Sequence, residues 1–289
     1  RSVIQDRDSR IEQTDRQTDT DNQEVRGMRS DACDEDISLV AIPSMRSACS
    51  GCADLGRMRY DATQRDTPLH TGFNRNILYD YIRADMSSRT RSAIFYQTRD
   101  CVVVYDAYPK ARVHLLLMLR HGLSPPVDSA LDLTSVHATS INTLHTLARA
   151  IAGCETIKAA AQGYSIRLGY HAIPSLRPLH LHLVSNDMQS VYMKTKAHWN
   201  SFTTEFFIDI STIEDVLCLK QTATRSYDSS ENYIRDEKLV LESDTKKRLL
   251  SYEVYEGFLS RLLRCHGCGR SFKNMPQLKR HVAVCECID

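Results

Sequence analysis

Two short motifs in this 289-residue chain carry residue types that perform chemistry in proteins. In the first, His180 and His182 lie two apart in the run Leu-His-Leu-His-Leu-Val that begins at residue 179. The second has the spacing Cys-x2-Cys-x12-His-x3-Cys and consists of Cys265, Cys268, His281 and Cys285. The first pattern indicates a strand that presents histidines to a site. The second is typical of a structural zinc site.

The leucines around the two histidines predict how that strand is oriented. Successive side chains of a strand point to opposite faces, so Leu179, Leu181 and Leu183 are expected in a core and both imidazoles on the other face. Imidazoles without partners are costly in apolar packing, so the histidine face should border a pocket. Three interpretations stay open from these residues alone: structural histidines with hydrogen-bond partners, a metal-binding pair, and a nucleophilic histidine with a helper.

The cysteine-rich motif predicts a small zinc finger. Two cysteines on a turn and a histidine and cysteine four apart on a helix converge on one tetrahedral centre, which structural Zn²⁺ prefers. Phe272 and Leu278 occupy the positions of a ββα module's small core. Cys287 is an alternative to Cys285 as the fourth ligand, and His266 is expected to face solvent.

Charge points to a partner only in one part of the chain. The net charge is +1, so no overall field indicates a nucleic-acid partner. Between Glu256 and Glu286 there is no acidic residue. The same stretch holds six basic residues, Arg261, Arg264, Arg270, Lys273, Lys279 and Arg280. On a zinc module these predict a phosphate-contacting surface, with the last four as DNA contacts; a solvated cationic face is the alternative.

Several classes of protein are disfavoured by composition. No apolar run reaches the ~18 residues of a membrane helix, and no charged segment followed by an apolar one suggests a secretory signal. Four of the ten cysteines lie in the finger, which favours metal binding in a reducing compartment over a disulfide framework. The lone pair Cys49 and Cys52 is weak evidence for metal or redox chemistry.

The segment from Leu168 to Val184 resembles the histidine-triad superfamily, whose signature is His-x-His-x-His followed by two apolar residues. The runs Tyr-Pro-Lys-Ala-Arg-Val-His at 108–114 and Lys-Ala-His-Trp-Asn-Ser-Phe at 196–202, with the finger, resemble the branch that removes AMP from adenylated DNA ends. Together the motifs cover roughly residues 74 to 286. The first triad position is Pro178, and this departure is expected to impair orientation more than bond making.

The resemblance implies a role for each residue of the site. His180 aligns with the nucleophile, and His182 and His171 complete the catalytic set. Substrate contacts are implied for Asp106 on the ribose hydroxyls, Lys110 and Ser175 on phosphate, and His114 near the phosphate or leaving group. His198 and Trp199 fall in a segment close to DNA. Each role has a structural alternative. Asp106 could be an ordinary turn residue and Lys110 an exposed lysine. The histidines could be structural, and Trp199 could fill the core between the expected catalytic domain and the finger.

Four segments are predicted. Residues 1–72 are polar and read as a disordered tail, too short and too polar for the forkhead-associated domain of longer relatives. Residues 73–208 form an α+β catalytic domain with an antiparallel sheet, 209–258 an irregular linker or insertion, and 259–289 the finger. The elements expected are helices at 76–83 and around Ile141–Ile151, the latter closed by Gly163, and strands at 92–97, 101–105, 113–119, 165–170 and 179–184.

The expected function is a nuclear, monomeric DNA-repair hydrolase that removes AMP from 5′-adenylated DNA ends through a covalent AMP–histidine intermediate. Adenylated and nicked DNA are the expected partners, AMP is a product, RNA–DNA junctions stay open as substrates, and no membrane is involved. Structural zinc is expected, without a catalytic metal. The alternatives are a binding protein with a decayed triad, disfavoured by the retained His180, His182, Lys110 and Asp106, and a dinucleoside polyphosphate hydrolase, disfavoured by the finger.

Overall fold

The computed structural model describes residues 59–61, 74–83, 93–225 and 249–288, with the side chains of 218–225 left aside. The expected tail at residues 1–58 and 62–72, with its pair Cys49 and Cys52, and the expected loop at 226–231 lie outside this part. Within the described residues, the helices are too short or too polar to cross a membrane.

A six-stranded antiparallel sheet forms the centre of the fold. Its strands are β1 (Ile94–Gln97), β2 (Cys101–Tyr105), β3 (His114–Leu119), β4 (Ile166–His171), β5 (Leu181–Ser185) and β6 (Phe207–Asp209). Their spatial order is β1-β2-β3-β5-β4-β6. The helices are α1 (Leu78–Arg83), α2 (Ala138–Ala152), α3 (Glu155–Ala161), α4 (Lys196–Thr203), α5 (Ile210–Arg225) and α6 (Tyr252–Leu259). The predicted α+β class is confirmed.

One face of the sheet is covered by helices and forms the main core. Leu115 and Leu117 of β3 and Leu181 and Leu183 of β5 are fully buried there. They pack with apolar side chains of α2, α3, α5 and α6, including Ile141, Leu144, Ile157, Ile213 and Phe258. Leu179 joins the same cluster. The predicted leucine face is therefore confirmed, and it fixes the opposite direction for the histidines.

The other face of the sheet carries two separate apolar clusters. Leu78 and Tyr81 of α1 pack on Val104 and Leu116 near β2. The second cluster joins α4, β5 and β6 to the finger and includes Val184, Trp199, Phe202, Phe207, Leu263 and Leu278. His114, His182 and His171 belong to this sheet face because they alternate with the core residues of their strands.

Residues 209–225 correct the predicted irregular linker. Asp209 is the last residue of β6, and the following residues form α5. The apolar residues Ile210, Ile213 and Leu217 of this helix recur at helical spacing and are buried on the sheet. Glu214 of the same helix accepts hydrogen bonds from buried His145 (2.8 Å) and from Arg149 (2.6 Å). The expected linker also gives way to α6 near its end.

The helical region after residue 137 is divided into two. Helix α2 ends at Ala152, and Gly153 and Cys154 separate it from α3. Gly163, with φ of +92°, follows α3 and lies in the left-handed region that glycine adopts without strain. The predicted closure at Gly163 is thus correct for the second helix.

The finger has the expected ββα form. It consists of β7 (Leu263–Arg264), β8 (Ser271–Phe272) and α7 (Met275–Val282). Asn274 caps α7 by accepting the Gln277 N–H at its side-chain oxygen (3.0 Å). Leu278 is fully buried and Phe272 is half-buried against the His281 ring, so both predicted core positions are confirmed.

Candidate active site and zinc finger

Three neighbouring strands bring the histidines together. His182 in the middle of β5 lies opposite Leu116 of β3 and Gly169 of β4, while His114 begins β3 and His171 ends β4. His180 lies just before β5 rather than on it, which corrects the predicted strand start. At Gly169 any Cβ would meet the Phe207 ring at 2.4 Å, so only glycine lets β6 pack beside His182.

The tautomer of His180 follows from its partner. Its Nδ1 lies 2.9 Å from the carbonyl oxygen of Pro178. A carbonyl only accepts, so Nδ1 must carry a proton, and in the neutral ring the lone pair is on Nε2. His180 is 5% exposed, and its ring centroid is 4.9 Å from that of His182. This is the protonation state that a nucleophilic imidazole requires.

A hydrogen-bonded chain fixes the protons of the next two histidines. The main-chain N–H of Lys110 donates to Nδ1 of His114 (3.1 Å), so a neutral His114 carries its proton on Nε2. Nε2 of His114 is 3.0 Å from Nδ1 of His182 and donates to it. Neutral His182 therefore keeps a proton on Nε2. That N–H is buried and has no partner among the described residues, so it is available to a ligand oxygen.

His171 supplies a second buried nitrogen of this kind. Its ring lies against His182, with centroids 4.3 Å apart, and edge-on to Phe202 at 4.5 Å. Nε2 of His171 is buried without a hydrogen-bond partner in the described part of the chain. Two adjacent unpartnered imidazole nitrogens are costly in a site that serves only as packing. They fit a pocket that binds an oxygen-rich group.

Asp106 and Lys110 add opposite charges to the rim of this pocket. Burial raises the pKa of Asp106, but the Lys110 ammonium and the N–H of Tyr108 (2.7 Å) act in the opposite direction, and that pKa lies below its usual value. Burial lowers the pKa of Lys110, and Lys194 adds to that effect against the opposing pull of Asp106. Asp106 is thus ionised at neutral pH and can accept from hydroxyl groups, and its contact with a ribose stays a prediction.

The histidines are neutral at pH 7. Burial lowers the pKa of His114 to about 4, although Asp106 opposes this. Burial, followed by the neighbouring histidines, lowers the pKa of His171 and His182 well below 6.5. Burial also lowers the pKa of His180. His114 Nδ1 lies 3.4 Å from Asp106, but the N–H of Lys110 holds the same nitrogen, so we assign the neutral ring.

The predicted site residues divide into those that join the cluster and those that do not. One cluster of contacting side chains contains Asp106, Lys110, His114, His171, His180 and His182. Ser175 is exposed in the loop between β4 and β5, and no described hydrogen bond links it to the cluster. Its phosphate contact stays a prediction. His198 is half-buried, and its Nδ1 accepts the main-chain N–H of Lys194 (3.4 Å); its DNA contact stays a prediction.

Trp199 is buried between the sheet and the finger, as the packing alternative expects, and a DNA contact from it stays a prediction. It is 1% exposed, and its indole N–H donates to the carbonyl of Arg264 (2.8 Å). His266 corrects a second expectation, because it does not face solvent: its Nε2 bonds the carbonyl of Asn186 (2.8 Å) and its ring packs edge-on to Trp199. Asn200 adds bonds to the carbonyls before β7. These bonds hold the finger against the site.

The four predicted zinc ligands converge. The sulfur and nitrogen atoms of Cys265, Cys268, His281 and Cys285 all lie within 4.8 Å of one another. Cys268 Sγ is 3.1 Å from His281 Nε2, and Cys265 Sγ is 3.8 Å from Cys285 Sγ. A tetrahedral zinc with ligands at ~2.3 Å spaces them by about 3.7 Å, so the set fits Zn²⁺. Asp106, His114 and His182 also cluster, but we assign that set to the hydrogen-bonded chain described above.

The predicted DNA contacts on the finger differ in exposure. Arg270, Lys273 and Arg280 are exposed and available to phosphate. Lys279 is half-buried, and its ammonium donates to the carbonyl of Ser190 (2.8 Å), which lies between β5 and α4. Lys279 therefore helps to seat the finger, and a phosphate contact from it stays a prediction.

Sequence reasoning missed Tyr60, which fell in the expected tail. Its hydroxyl donates to the carbonyl of Arg112 (3.0 Å) and accepts the N–H of His114 (3.2 Å). Its ring packs on Phe95 and Tyr105. Residues 59–61 thus differ from the expected disorder, and they hold the main chain from which His114 projects. As the single aromatic of the first 70 residues, Tyr60 was the available signal.

Asp187 is a second missed residue. It is fully buried and accepts from the N–H of Arg112 (3.2 and 3.3 Å), the Ser185 hydroxyl (2.5 Å) and the N–H of Gln189 (3.2 Å). These bonds join the end of β5 to the start of β3. Asp187 thereby fixes the separation of the strands that carry His182 and His114.

Comparison with known proteins agrees with both parts of the molecule. Residues 81–198 match the family model described as the scavenger mRNA decapping enzyme C-terminal binding domain, and residues 203–285 match the C2HE / C2H2 / C2HC zinc-binding finger. Aprataxin of Gallus gallus is 34% identical over 191 residues, which are 65% of this chain and 49% of that protein. The chain is homologous to aprataxin over 65% of its length.

Solved aprataxin structures show the same fold. The aprataxin ortholog Hnt3 from Schizosaccharomyces pombe is similar with a TM-score of 0.50 and 25% identity, covering 74% of this chain and 93% of that chain. An Hnt3 structure in complex with DNA has a TM-score of 0.50 and 26% identity, covering 72% and 92%. The chain spans about half the length of the chicken aprataxin that it matches.

Proposed function

We propose that this chain is a DNA-repair hydrolase that removes AMP from 5′-adenylated DNA ends through a covalent bond between AMP and His180. One observation carries the proposal: the Nδ1 proton of His180 is held by the Pro178 carbonyl (2.9 Å), which leaves a lone pair on Nε2 beside two buried nitrogens without partners. The homology to aprataxin and the Hnt3 complex with DNA support the substrate class.

The first step is attack on the adenylate phosphorus. AMP is joined to the 5′-phosphate of the DNA by a pyrophosphate bridge. Nε2 of His180 forms a P–N bond to the AMP phosphorus, the bond from that phosphorus to the bridging oxygen breaks, and the DNA leaves with a 5′-phosphate. The imidazole becomes positively charged, and the Pro178 carbonyl stabilises its Nδ1–H.

Donors around the phosphate stabilise the charge that gathers on its oxygens. The Nε2–H of His182 is oriented for this by His114, and His171 and the Lys110 ammonium are further donors. Burial keeps the histidines neutral in the free protein, so they act on the phosphate as hydrogen-bonding groups and Lys110 supplies the positive charge. Preorganised donors of this kind usually make the largest contribution to catalysis.

The second step is hydrolysis of the intermediate. Water attacks phosphorus and passes its proton to bulk water, the P–N bond breaks with its electron pair returning to Nε2, and AMP leaves. Asp106, kept ionised, holds the ribose through both steps. The finger supplies affinity for DNA through its exposed cations and needs zinc for its fold. Neither step uses a metal ion, and action on DNA ends implies a nuclear location.

Pro178 does not remove what His180 needs. The first triad residue contacts the nucleophile through its main-chain carbonyl, and proline retains a carbonyl although it lacks an N–H. The departure therefore leaves the orientation of His180 intact. We expect Pro178→His to change the rate of AMP release by less than about tenfold. In the wild-type protein and in the variant, the same main-chain carbonyl oxygen of residue 178 accepts the hydrogen bond from His180 Nδ1.

The proposal is tested with a nicked duplex that carries a labelled 5′-AMP. Zinc-loaded protein is expected to convert it to a 5′-phosphate end and free AMP, and His180→Ala is expected to abolish turnover while it leaves DNA binding within about twofold of the unmodified protein. His145→Ala is not a suitable control because that buried histidine bonds Glu214; His121→Ala, on an exposed turn, is the matched one.

The outcomes separate three functions. Release of AMP from the nicked duplex but not from a dinucleoside polyphosphate supports DNA-end repair. The reverse preference identifies a hydrolase of small nucleotides, and binding without release in either case identifies a non-catalytic protein. Loss of activity with a chelator while the finger stays folded and zinc-loaded contradicts the steps as written.

A further inference from the structure

Two tyrosines and a lysine lie beside the histidine cluster, and none of their side chains has a contact with substrate in the steps proposed above. Tyr108 and Tyr192 meet edge to face, with ring centroids 5.5 Å apart, and the Lys194 ammonium lies 5.8 Å from the Tyr192 centroid. Tyr108 is 51% exposed, which makes it one of the most accessible large apolar side chains beside the site. We refer to Tyr108, Tyr192 and Lys194 as the tyrosine rim.

The tyrosine rim is tied to the catalytic groups through its main chain. The N–H of Tyr108 donates to Asp106 (2.7 Å), and its carbonyl accepts from the Lys110 ammonium. On the opposite side, the N–H of Ser190 donates to the Lys110 carbonyl (3.4 Å), which places the segment that carries Tyr192 against Lys110. The rim is therefore next to the phosphate-binding groups.

The same segment continues to the finger. The Ser190 carbonyl accepts from the Lys279 ammonium of α7, and Gln189 donates to the Val282 carbonyl (3.5 Å). Lys194 contributes to lowering the pKa of Lys110 and of His198, so its charge acts on the same space. A strand of nucleic acid that runs from the pocket to the finger would pass over Tyr192 and Lys194.

From this placement we propose that the tyrosine rim binds the first unpaired or unstacked nucleotide of the DNA strand beside the adenylated phosphate. The tyrosine rings stack on its base, and Lys194 contacts its phosphate. Stacking on aromatic rings accepts any base, and a neighbouring cation neutralises the backbone, which suits a site that must act on ends of all sequences. This inference rests on the proposed function, because it assigns the DNA strand to one side of the pocket.

The test compares aromatic and aliphatic replacements at one position. Tyr192→Phe keeps a ring for stacking, whereas Tyr192→Leu keeps apolar bulk without a π face. For the adenylated nicked duplex we expect kcat/KM to fall about tenfold in Tyr192→Leu and in Tyr108→Leu, and to stay within about twofold in Tyr192→Phe. Turnover of a dinucleoside polyphosphate should be unchanged in all three. Tyr252→Leu, an exposed tyrosine on α6, is the matched control.

Lys194→Gln tests the cationic part. We measure how the logarithm of the affinity for a nicked duplex with a 5′-phosphate depends on the logarithm of the salt concentration. The magnitude of this slope is expected to decrease by about 1, which is the contribution of one phosphate contact, in Lys194→Gln and not in the tyrosine variants. Equal losses in Tyr192→Phe and Tyr192→Leu, equal losses on the small substrate, or no loss in any rim variant would each overturn the proposal.

The binding measurement also distinguishes this inference from the proposed function. If the wild-type protein binds the phosphorylated nick but releases no AMP from the adenylated one, the proposed function fails. The rim is then still judged by whether Tyr192→Leu, and not Tyr192→Phe, weakens binding to the phosphorylated nick about tenfold.

Discussion

His114 offers the sharpest prediction about how the pocket is preorganised. It is 1% exposed and connects the Lys110 N–H (3.1 Å) to Nδ1 of His182 (3.0 Å). In His114→Leu both partners lose their hydrogen bond. His182 is then free to carry its proton on Nδ1, which turns the lone pair of Nε2 instead of its N–H toward the phosphate.

The magnitude follows from the two lost bonds. Each buried polar group left without a partner costs roughly 1–3 kcal/mol, so the free energy of unfolding of His114→Leu should fall by about 2–6 kcal/mol. The loss of one preorganised donor to a developing oxyanion lowers kcat by about 10²–10³. His114→Gln is the matched control, since its amide supplies a donor for His182, and its kcat should fall no more than about tenfold.

The assay is single-turnover release of AMP from an adenylated nicked duplex with enzyme in excess, at a temperature where circular dichroism shows each variant folded. Equal rates for His114→Leu and His114→Gln, or a Leu variant that loses stability but keeps its rate, would refute the argument that His114 sets the His182 tautomer.

Three further predictions concern the finger, the DNA surface and pH. Cys268→Ser should lower zinc content below one per chain, as measured by an equimolar metal assay, and weaken DNA binding because folding and metal binding are coupled; one bound zinc with unchanged affinity would contradict this. Neutralising the exposed Lys273 and Arg280 together should reduce the slope of log affinity against log salt by about 2, one unit for each lost phosphate contact, in a binding titration with duplex DNA. An unchanged slope would indicate that these residues form only a solvated face. Burial depresses the pKa of His114 from 6.5 to about 4, so the unfolded state binds more protons between these values and stability is lost as pH falls from 6.5 toward 4. His114 should therefore lower the free energy of unfolding by up to about 3 kcal/mol between pH 7 and pH 4, as measured by denaturant unfolding at both values. A free energy of unfolding that does not change with pH would argue against a neutral buried ring.

Tyr60 and the finger contacts show where sequence reasoning stops. The leucine alternation and the cysteine spacing are local patterns, and each predicted its face or its cluster correctly because the residues concerned are near one another in sequence. Tyr60 bonds the main chain of residue 114, and His266 bonds that of Asn186, 80 residues away. Such contacts depend on how separate elements pack, and nothing in the neighbouring residues indicates them.

Helix α5 was missed for a different reason. Its polar residues predict a linker. In the structure, however, Ile213 and Leu217 form a buried apolar stripe, and Glu214 accepts a hydrogen bond from His145 on α2. The tautomers were also beyond the sequence. The roles of His114 and His182 came from resemblance, whereas the hydrogen bonds from Lys110 and to His182 show which nitrogen of each ring donates.

The most direct measurement of the central claim is a trap of the covalent intermediate. Protein is mixed with a duplex whose 5′-adenylate is labelled in the AMP phosphorus, denatured in alkaline detergent during turnover because a P–N bond is labile to acid, and mapped by peptide mass spectrometry. The account predicts labelled AMP on His180 in the wild-type protein and none in His180→Ala, which should also release no AMP. Label on another residue, or near-normal release of AMP by His180→Ala, would contradict it.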